Sequence, residues 1–318
     1  MIERLEELVT VFGGGGFIGR YVCEALFRSG VRVRIAQRDP RTAYIIQPLA
    51  QVGQFGFAAA DITDPTAVRR AVKGATAVIN LVGVFGKAMQ AVHVDGARHV
   101  AEAAAAEGAK ALAHISAIGA DVHSPSNYGG TKGEGEVAVR EAYPEATIVR
   151  PSLVFGPEDA LTNRFAGMAR LPLLPVIAAK RKFQPVYVRD IARAIAEAAL
   201  DPGTFGGTTY EIGGPQVMSM LELHKTVLEL TGQDPEILPL PDMFGSLLSK
   251  FGWLPGAPLT RDQWLMLSQD NVPAEGAPGL KAFGIEPTPL AAVGAEWLAR
   301  FRTGSRLAAR RIHLTTAH

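Results

Sequence analysis

Between residues 8 and 115, short apolar runs alternate with stretches in which apolar positions recur every three or four residues. The runs at 8–12, 31–36, 54–60, 77–82 and 111–115 have the length of single strands. The run 77–82, Ala-Val-Ile-Asn-Leu-Val, is almost continuously apolar, as a strand buried on both faces must be. Helical periods fall at 17–28, 65–72 and 91–107, and the last includes an alanine-rich stretch of strong helix formers at 101–106. Strand and helix in alternation predict a parallel sheet with crossover helices on its faces. A helix over 126–142 and a strand over 146–149 continue the series.

Beyond Arg150 the rhythm changes. Prolines cluster at 172, 175, 185, 235, 239, 241, 255 and 258, and helical spacing dominates. The pattern predicts an α/β protein: a doubly wound parallel Rossmann sheet with a smaller, mostly helical C-terminal lobe. Its expected division is a nucleotide-binding domain over 1–155, with 183–212 returning to it, a substrate or partner lobe over 156–302, and a tail over 303–318. Met243, Phe244, Leu247, Leu248, Phe251 and Leu254 recur at helical spacing with Trp253 beside them. They read either as a helix closing a cleft or as an exposed apolar strip.

The chemistry begins in the first strand–helix turn. Gly13, Gly16 and Gly19 have G-x-x-G-x-x-G spacing and lead through Phe17 and Ile18 into the first helix. Glycine allows the tight turn and lets backbone amides approach a pyrophosphate, and the helix N-terminus adds donors and partial positive charge. The position makes this a nicotinamide dinucleotide site. An NAD site usually carries an acid at the end of the second strand, but Gln37 stands there with Arg38 next to it. Arg38 is placed to pair with a 2′-phosphate, which favours NADP(H) over NAD(H). The alternative is that Arg38 is a solvated loop charge and Asp39 takes the ribose. Asp61 and Ile62, after the third strand, are expected beside the adenine. Leu81, Val82 and Gly83, ending the fourth, are expected along the nicotinamide half.

Tyr128 and Lys132 lie four residues apart, on one face of the helix after the fifth strand. An ammonium there is expected to lower the phenol's pKa and to bond the cofactor ribose, so that the phenol donates or accepts a proton. Ser116, ending the fifth strand, is placed to polarise a carbonyl. Composition removes other classes. A net charge of +1 gives no reason to expect nucleic acid, and a single cysteine, Cys23, allows no internal disulfide and reads as a packed thiol. The seven histidines never fall at a metal-ligand spacing. The polar N-terminus does not read as a signal peptide, and the apolar stretch 171–179 is far short of the ~20 residues a spanning helix needs. The chain therefore reads as cytoplasmic, with peripheral membrane association open.

The glycine set, Ser116, Tyr128, Lys132 and the segment 150–156, with Pro151, Ser152 and Val154 over the nicotinamide, resemble the extended or atypical short-chain dehydrogenase/reductases. Further stretches at 114–116, 163–166, 182–192, 259–263, 270–272 and 284–290 are similar to a narrower group. That group is the nucleotide-binding accessory subunit of respiratory complex I, of the alpha-subcomplex subunit nine type, with its bacterial relatives. The resemblance runs from about Val9 to Arg302. It implies a tightly held, largely structural NADPH, placement on the peripheral arm near the membrane, and partners among complex I subunits or in ubiquinone metabolism. It assigns the glycine loop, Arg38, Asp61, Tyr128 and Lys132 to cofactor holding. Two features depart from the active reductases. Ala117 follows the serine where many have a second serine, and the tyrosine helix contains Gly129, Gly130, Gly133 and Gly135.

Overall fold

The alternating pattern becomes a seven-stranded sheet in a computed structural model that describes residues 5–252 and 259–302. Its strands are β1 (Leu8–Phe12), β2 (Arg32–Gln37), β3 (Phe55–Ala59), β4 (Ala77–Asn80), β5 (Ala111–Ile115), β6 (Thr147–Pro151) and the strand Thr209–Ile212. They lie in the order Thr209–Ile212, β6, β5, β4, β1, β2, β3, and every neighbouring pair is parallel. The winding reverses between β1 and β4. At such a switch point the strand ends leave a crevice, and ligands bind there.

Four helices matter for the site: α1 (Phe17–Arg28), α2 (Pro65–Val72), α3 (Ala97–Glu107) and α4 (Asn127–Ala142). Val78, Leu112 and Ile148 of the sheet pack with Val68, Val100, Ala101 and Ala104 of α2 and α3. Burial of each large side chain there contributes roughly 1.5–3 kcal/mol. Local signals set the helix ends. Asp64 caps α2 by accepting from the Thr66 amide, Ser126 caps α4 by accepting from the Gly129 amide at 3.0 Å, and Gly108 ends α3 at φ +71°.

The single helix expected over 91–107 is interrupted. Gln90–Gly96 forms a π-helical turn before α3. That turn carries the buried His93, and Gly96 lets it approach Ile62, whose Cγ2 a Cβ there would meet at 2.8 Å. Residues Pro40–Leu49, with no element assigned from sequence, form a 3-10 helix capped by Asp39 and opened by Pro40.

The chain forms two compact units. Of the described residues, one comprises 5–151, 188–212 and 273–286; the other comprises 152–187, 213–252, 259–272 and 287–302. The first holds the sheet. In the second, Phe155, Tyr187 and Trp297 stack in the core, and Leu173–Val176 pairs in parallel with Glu236–Pro239. Its helix Asp242–Lys250 rests Gly245 on the Trp264 ring and leaves Met243, Phe244, Leu247 and Phe251 exposed. Trp253, Leu254 and the tail 303–318 lie outside the described residues. Among those described, no helix is long and apolar enough to cross a membrane.

Candidate functional site

The glycine loop is built as its spacing requires. Gly13 has φ +78°, and its amide donates to Ala36 O at 3.0 Å. Its carbonyl accepts from the Gly16 amide at 2.9 Å, which closes the turn before α1. At Gly19 a Cβ would collide with Gly13 O and lie 2.7 Å from Gly14 Cα, so only glycine lets the helix sit this close. Gly16 caps α1 without any side-chain bond, which leaves the first-turn amides of Phe17 and Ile18 to an outside acceptor. Buried beneath the loop, the Cys23 thiol packs against Gly14, and burial pushes its pKa up. It is an inert core group.

Beside the loop lies a cavity of about 580 Å³ lined by Gly15, Gly16, Gln37, Arg38, Asp39 and Thr42. Gln37 braces it. Its Oε1 accepts from the Gly15 amide at 2.9 Å, and its Nε2 donates to Asp39 O at 2.8 Å and to Thr42 Oγ1. A carboxylate could not make the last two bonds, so the amide here is a structural choice. Asp39 is engaged by Arg41, whose Nε and Nη2 donate to its two oxygens at 2.9 and 2.8 Å. Arg38 is exposed on the cavity wall, and its guanidinium has no hydrogen bond to another described residue.

Asp61 accepts from the amide and hydroxyl of Thr63, and those bonds, helped by Arg38, hold its carboxyl below the usual range. Ile62 is buried against Gly96, so its side chain serves the core. Leu81, Val82 and Gly83 leave β4 beside the loop; Leu81 and Val82 are the nearest neighbours a Gly13 Cβ would meet. The Val82 amide donates to Asn80 Oδ1 at 3.1 Å.

On α4, Lys132 is buried and donates from Nζ to Ile115 O at 3.1 Å. Burial lowers its pKa to about 8 against the pull of Glu136. A Cβ on Gly83 would lie 3.4 Å from Nζ, so the end of β4 leaves that nitrogen approachable. Tyr128 is half-buried, with Phe85 stacked on its ring at 4.7 Å and His93 edge-on at 5.4 Å. The expected lowering of the phenol by Lys132 does not occur: burial pushes Tyr128 up to about 12. The ammonium turns toward the β5 carbonyl, and desolvation of the phenol dominates. Ser116 is buried, and its Oγ has no hydrogen-bond partner among the described residues. Pro151 ends β6 and accepts from the Ile118 amide at 3.1 Å. In the other unit, Val154 pairs with Val186, and the Ser152 hydroxyl bonds Asn271 O at 2.7 Å while accepting from the Gln184 amide.

Gly133 and Gly135 of α4 are packing positions. A Cβ on Gly133 would meet the Asp121–Val122 backbone at 2.5 Å, and one on Gly135 would strike His93 O. The helix is thus seated close against protein backbone, which offsets the roughly 1 kcal/mol each glycine costs.

Three further buried residues join the site: Asn80, His93 and His114. Asn80 Nδ2 donates to His114 Nδ1 at 3.2 Å, which fixes the proton on His114 Nε2. His93 Nε2 accepts from the Val84 amide at 3.0 Å, and its Nδ1 meets Thr131 Oγ1 at 2.9 Å. Burial and Lys132 lower His93 to about 4 and His114 to about 3, so both rings are neutral. Polar residues within otherwise apolar strands were the available sequence signal for Asn80 and His114. His93 had none, because the π-turn that aims it inward is not written in the periodicity.

Comparison with known proteins agrees with this geometry. The NAD dependent epimerase/dehydratase family matches residues 9–213. The mouse protein named NADH dehydrogenase [ubiquinone] 1 alpha subcomplex subunit 9, mitochondrial, is 34% identical over 305 residues, 93% of this chain and 81% of its own length. The ceramide reductase of Caulobacter vibrioides is 32% identical over 241 residues, 74% of each chain. Among solved structures, an NADPH-dependent quinone oxidoreductase of Escherichia coli complexed with NADPH superposes with TM-score 0.73 at 21% identity, covering 91% of this chain and 99% of that one. That likeness is one of fold.

Proposed function

The chain belongs to the NAD dependent epimerase/dehydratase family, and within it we propose an NADP(H)-holding accessory subunit of NADH:ubiquinone oxidoreductase. The observation that carries this reading is similarity to the complex I relatives along 93% of the chain, through both compact units. When bound, the dinucleotide supplies a two-electron redox couple. The chain's own residues take its parts in turn. Amides of the glycine loop and of Phe17 and Ile18 receive the diphosphate, Arg38 meets the 2′-phosphate, and Asp61 borders the adenosine. Lys132 offers Nζ to the ribose on the nicotinamide side, where Leu81, Val82 and Gly83 form the wall, and Tyr128 holds a proton beside it.

A second reading, an active reductase, is favoured by the intact Tyr128–Lys132 pair and by the Ser116 hydroxyl, which has no hydrogen-bond partner among the described residues. Tyr128→Phe separates the two. A structural subunit keeps its NADPH and still co-purifies with complex I subunits in that variant. Reductase turnover with a carbonyl panel that disappears in the variant would end the structural-only reading. Arg38→Ala is expected to weaken NADPH binding about 10- to 100-fold, since it removes charge-assisted bonds to phosphate. NADH binding should stay nearly unchanged by calorimetry, and equal loss for both would refute the 2′-phosphate assignment.

A further inference from the structure

Asp39 stands on the wall of the cavity beside the glycine loop, close to where an acid meets the adenosine ribose in an NAD site. Its acceptors are turned back on its own turn. Oδ1 accepts from the Arg41 amide at 3.1 Å and from Arg41 Nε at 2.9 Å, and Oδ2 accepts from Nη2 at 2.8 Å. The carbonyl of the same residue accepts from Gln37 Nε2 at 2.8 Å and from the Thr42 hydroxyl at 2.9 Å. Arg41 thus covers both carboxylate oxygens with the two parallel bonds of a guanidinium fork. Those bonds hold the Asp39 carboxyl below its ordinary range, so it stays charged and paired. Arg41 itself stands outside the cavity lining. The cavity wall therefore carries a neutralised acid next to the charged Arg38.

We propose that Arg41 is a positioning residue that sets the nucleotide preference of the site by acting through Asp39. It masks a carboxylate that, left bare, would accept the ribose diol of NAD(H) and repel the 2′-phosphate of NADP(H). The inference rests on the cofactor-holding reading of this site and deepens it, since it explains how an acid can stand beside a 2′-phosphate. Arg41 takes three of the roughly four acceptor positions of the carboxylate. A diol bonds a carboxylate through two hydroxyls, and one remaining position does not serve both. The same contact places a positive charge against the acid, which cancels its repulsion of a phosphate. Because the pair is exposed, it adds little to stability, and its effect is read in affinity rather than in melting temperature.

The test is calorimetry of the full chain with NADPH and NADH in parallel. Arg41→Ala keeps the backbone amide that Asp39 caps, but it uncovers both carboxylate oxygens. NADPH binding is expected to weaken about fivefold and NADH binding to tighten about threefold, a roughly 15-fold swing in preference. Asp39→Asn removes the charge and caps a helix equally well. Added to Arg41→Ala, it should return NADPH affinity to within about twofold of wild type and erase the NADH gain. A double variant as weak for NADPH as Arg41→Ala alone would show Arg41 gripping phosphate directly, and it overturns the proposal. An Arg41→Ala protein with the wild-type ratio of affinities overturns it too. Wild-type protein that binds neither nucleotide would instead overturn the cofactor reading, so the two failures are distinguishable.

Discussion

Gly19→Val is expected to abolish useful dinucleotide binding, with NADPH affinity falling by about 100-fold or more, roughly 3 kcal/mol. The reason is geometric. A Cβ at this position meets Gly13 O and the Gly14 backbone, and neither is a side chain that can swing aside. To admit the new atoms, α1 must retreat from the turn that carries Gly13 and Gly16. The first-turn amides then leave the place where a diphosphate would lie, and the turn's closing bond from Gly16 N to Gly13 O at 2.9 Å is strained. Overpacking of this kind also costs about 1–3 kcal/mol of stability, which urea denaturation would register. Gly53→Ala is the matched control. Gly53 has φ +84° with nothing within 4 Å of its would-be Cβ. It should cost about 1–2 kcal/mol through backbone conformation alone and leave NADPH affinity untouched. Calorimetry finding Gly19→Val within a few-fold of wild type would show that the glycine loop does not cradle the cofactor.

How much of this was legible in the residues depends on whether a feature is local. The strands of the parallel sheet declare themselves as short apolar runs, and β5 begins and ends where its run does. The glycine loop is equally local, since turn, cap and close approach all involve residues within seven positions of one another. Tyr128 and Lys132 share a helix face by period alone. What escaped is set by contacts across the sheet. Asn80 and His114 meet because β4 and β5 pair in register, Asn80 opposite His114. A register is not written in either run taken by itself. The direction of the Tyr128 shift failed for the same reason. Helical spacing gives the neighbour, but desolvation comes from Phe85 and the π-turn, which reach the phenol from other parts of the chain. Likewise Gln37, seen from sequence only as a missing acid, proves to be a brace whose bonds require an amide.

The buried His114 makes acid lability the other large expected effect. In the unfolded chain a histidine titrates near 6.5, whereas His114 in the fold is lowered to about 3, first by burial, then by Lys132 and His93. Below pH 6.5 the unfolded chain therefore takes up a proton that the folded chain refuses. Stability is fully present above 6.5, declines as pH falls, and stops declining near the folded value. The integrated loss is several kcal/mol, on the order of a small domain's whole stability. His93, lowered to about 4, adds to it within the same window, and the two are coupled through Lys132. His114→Gln keeps an acceptor for Asn80 but cannot titrate, so its urea midpoint should change little at pH 7.5 and fall much less than wild type by pH 4.5. Lys132→Met removes the charge that pushes both rings down and should soften the acid loss as well. It also deletes a cation whose own burial lowers it to about 8, so the wild-type gain in stability between about pH 8 and 10.5 should vanish in that variant. Parallel pH profiles for wild type and His114→Gln would show that His114 does not carry the acid transition.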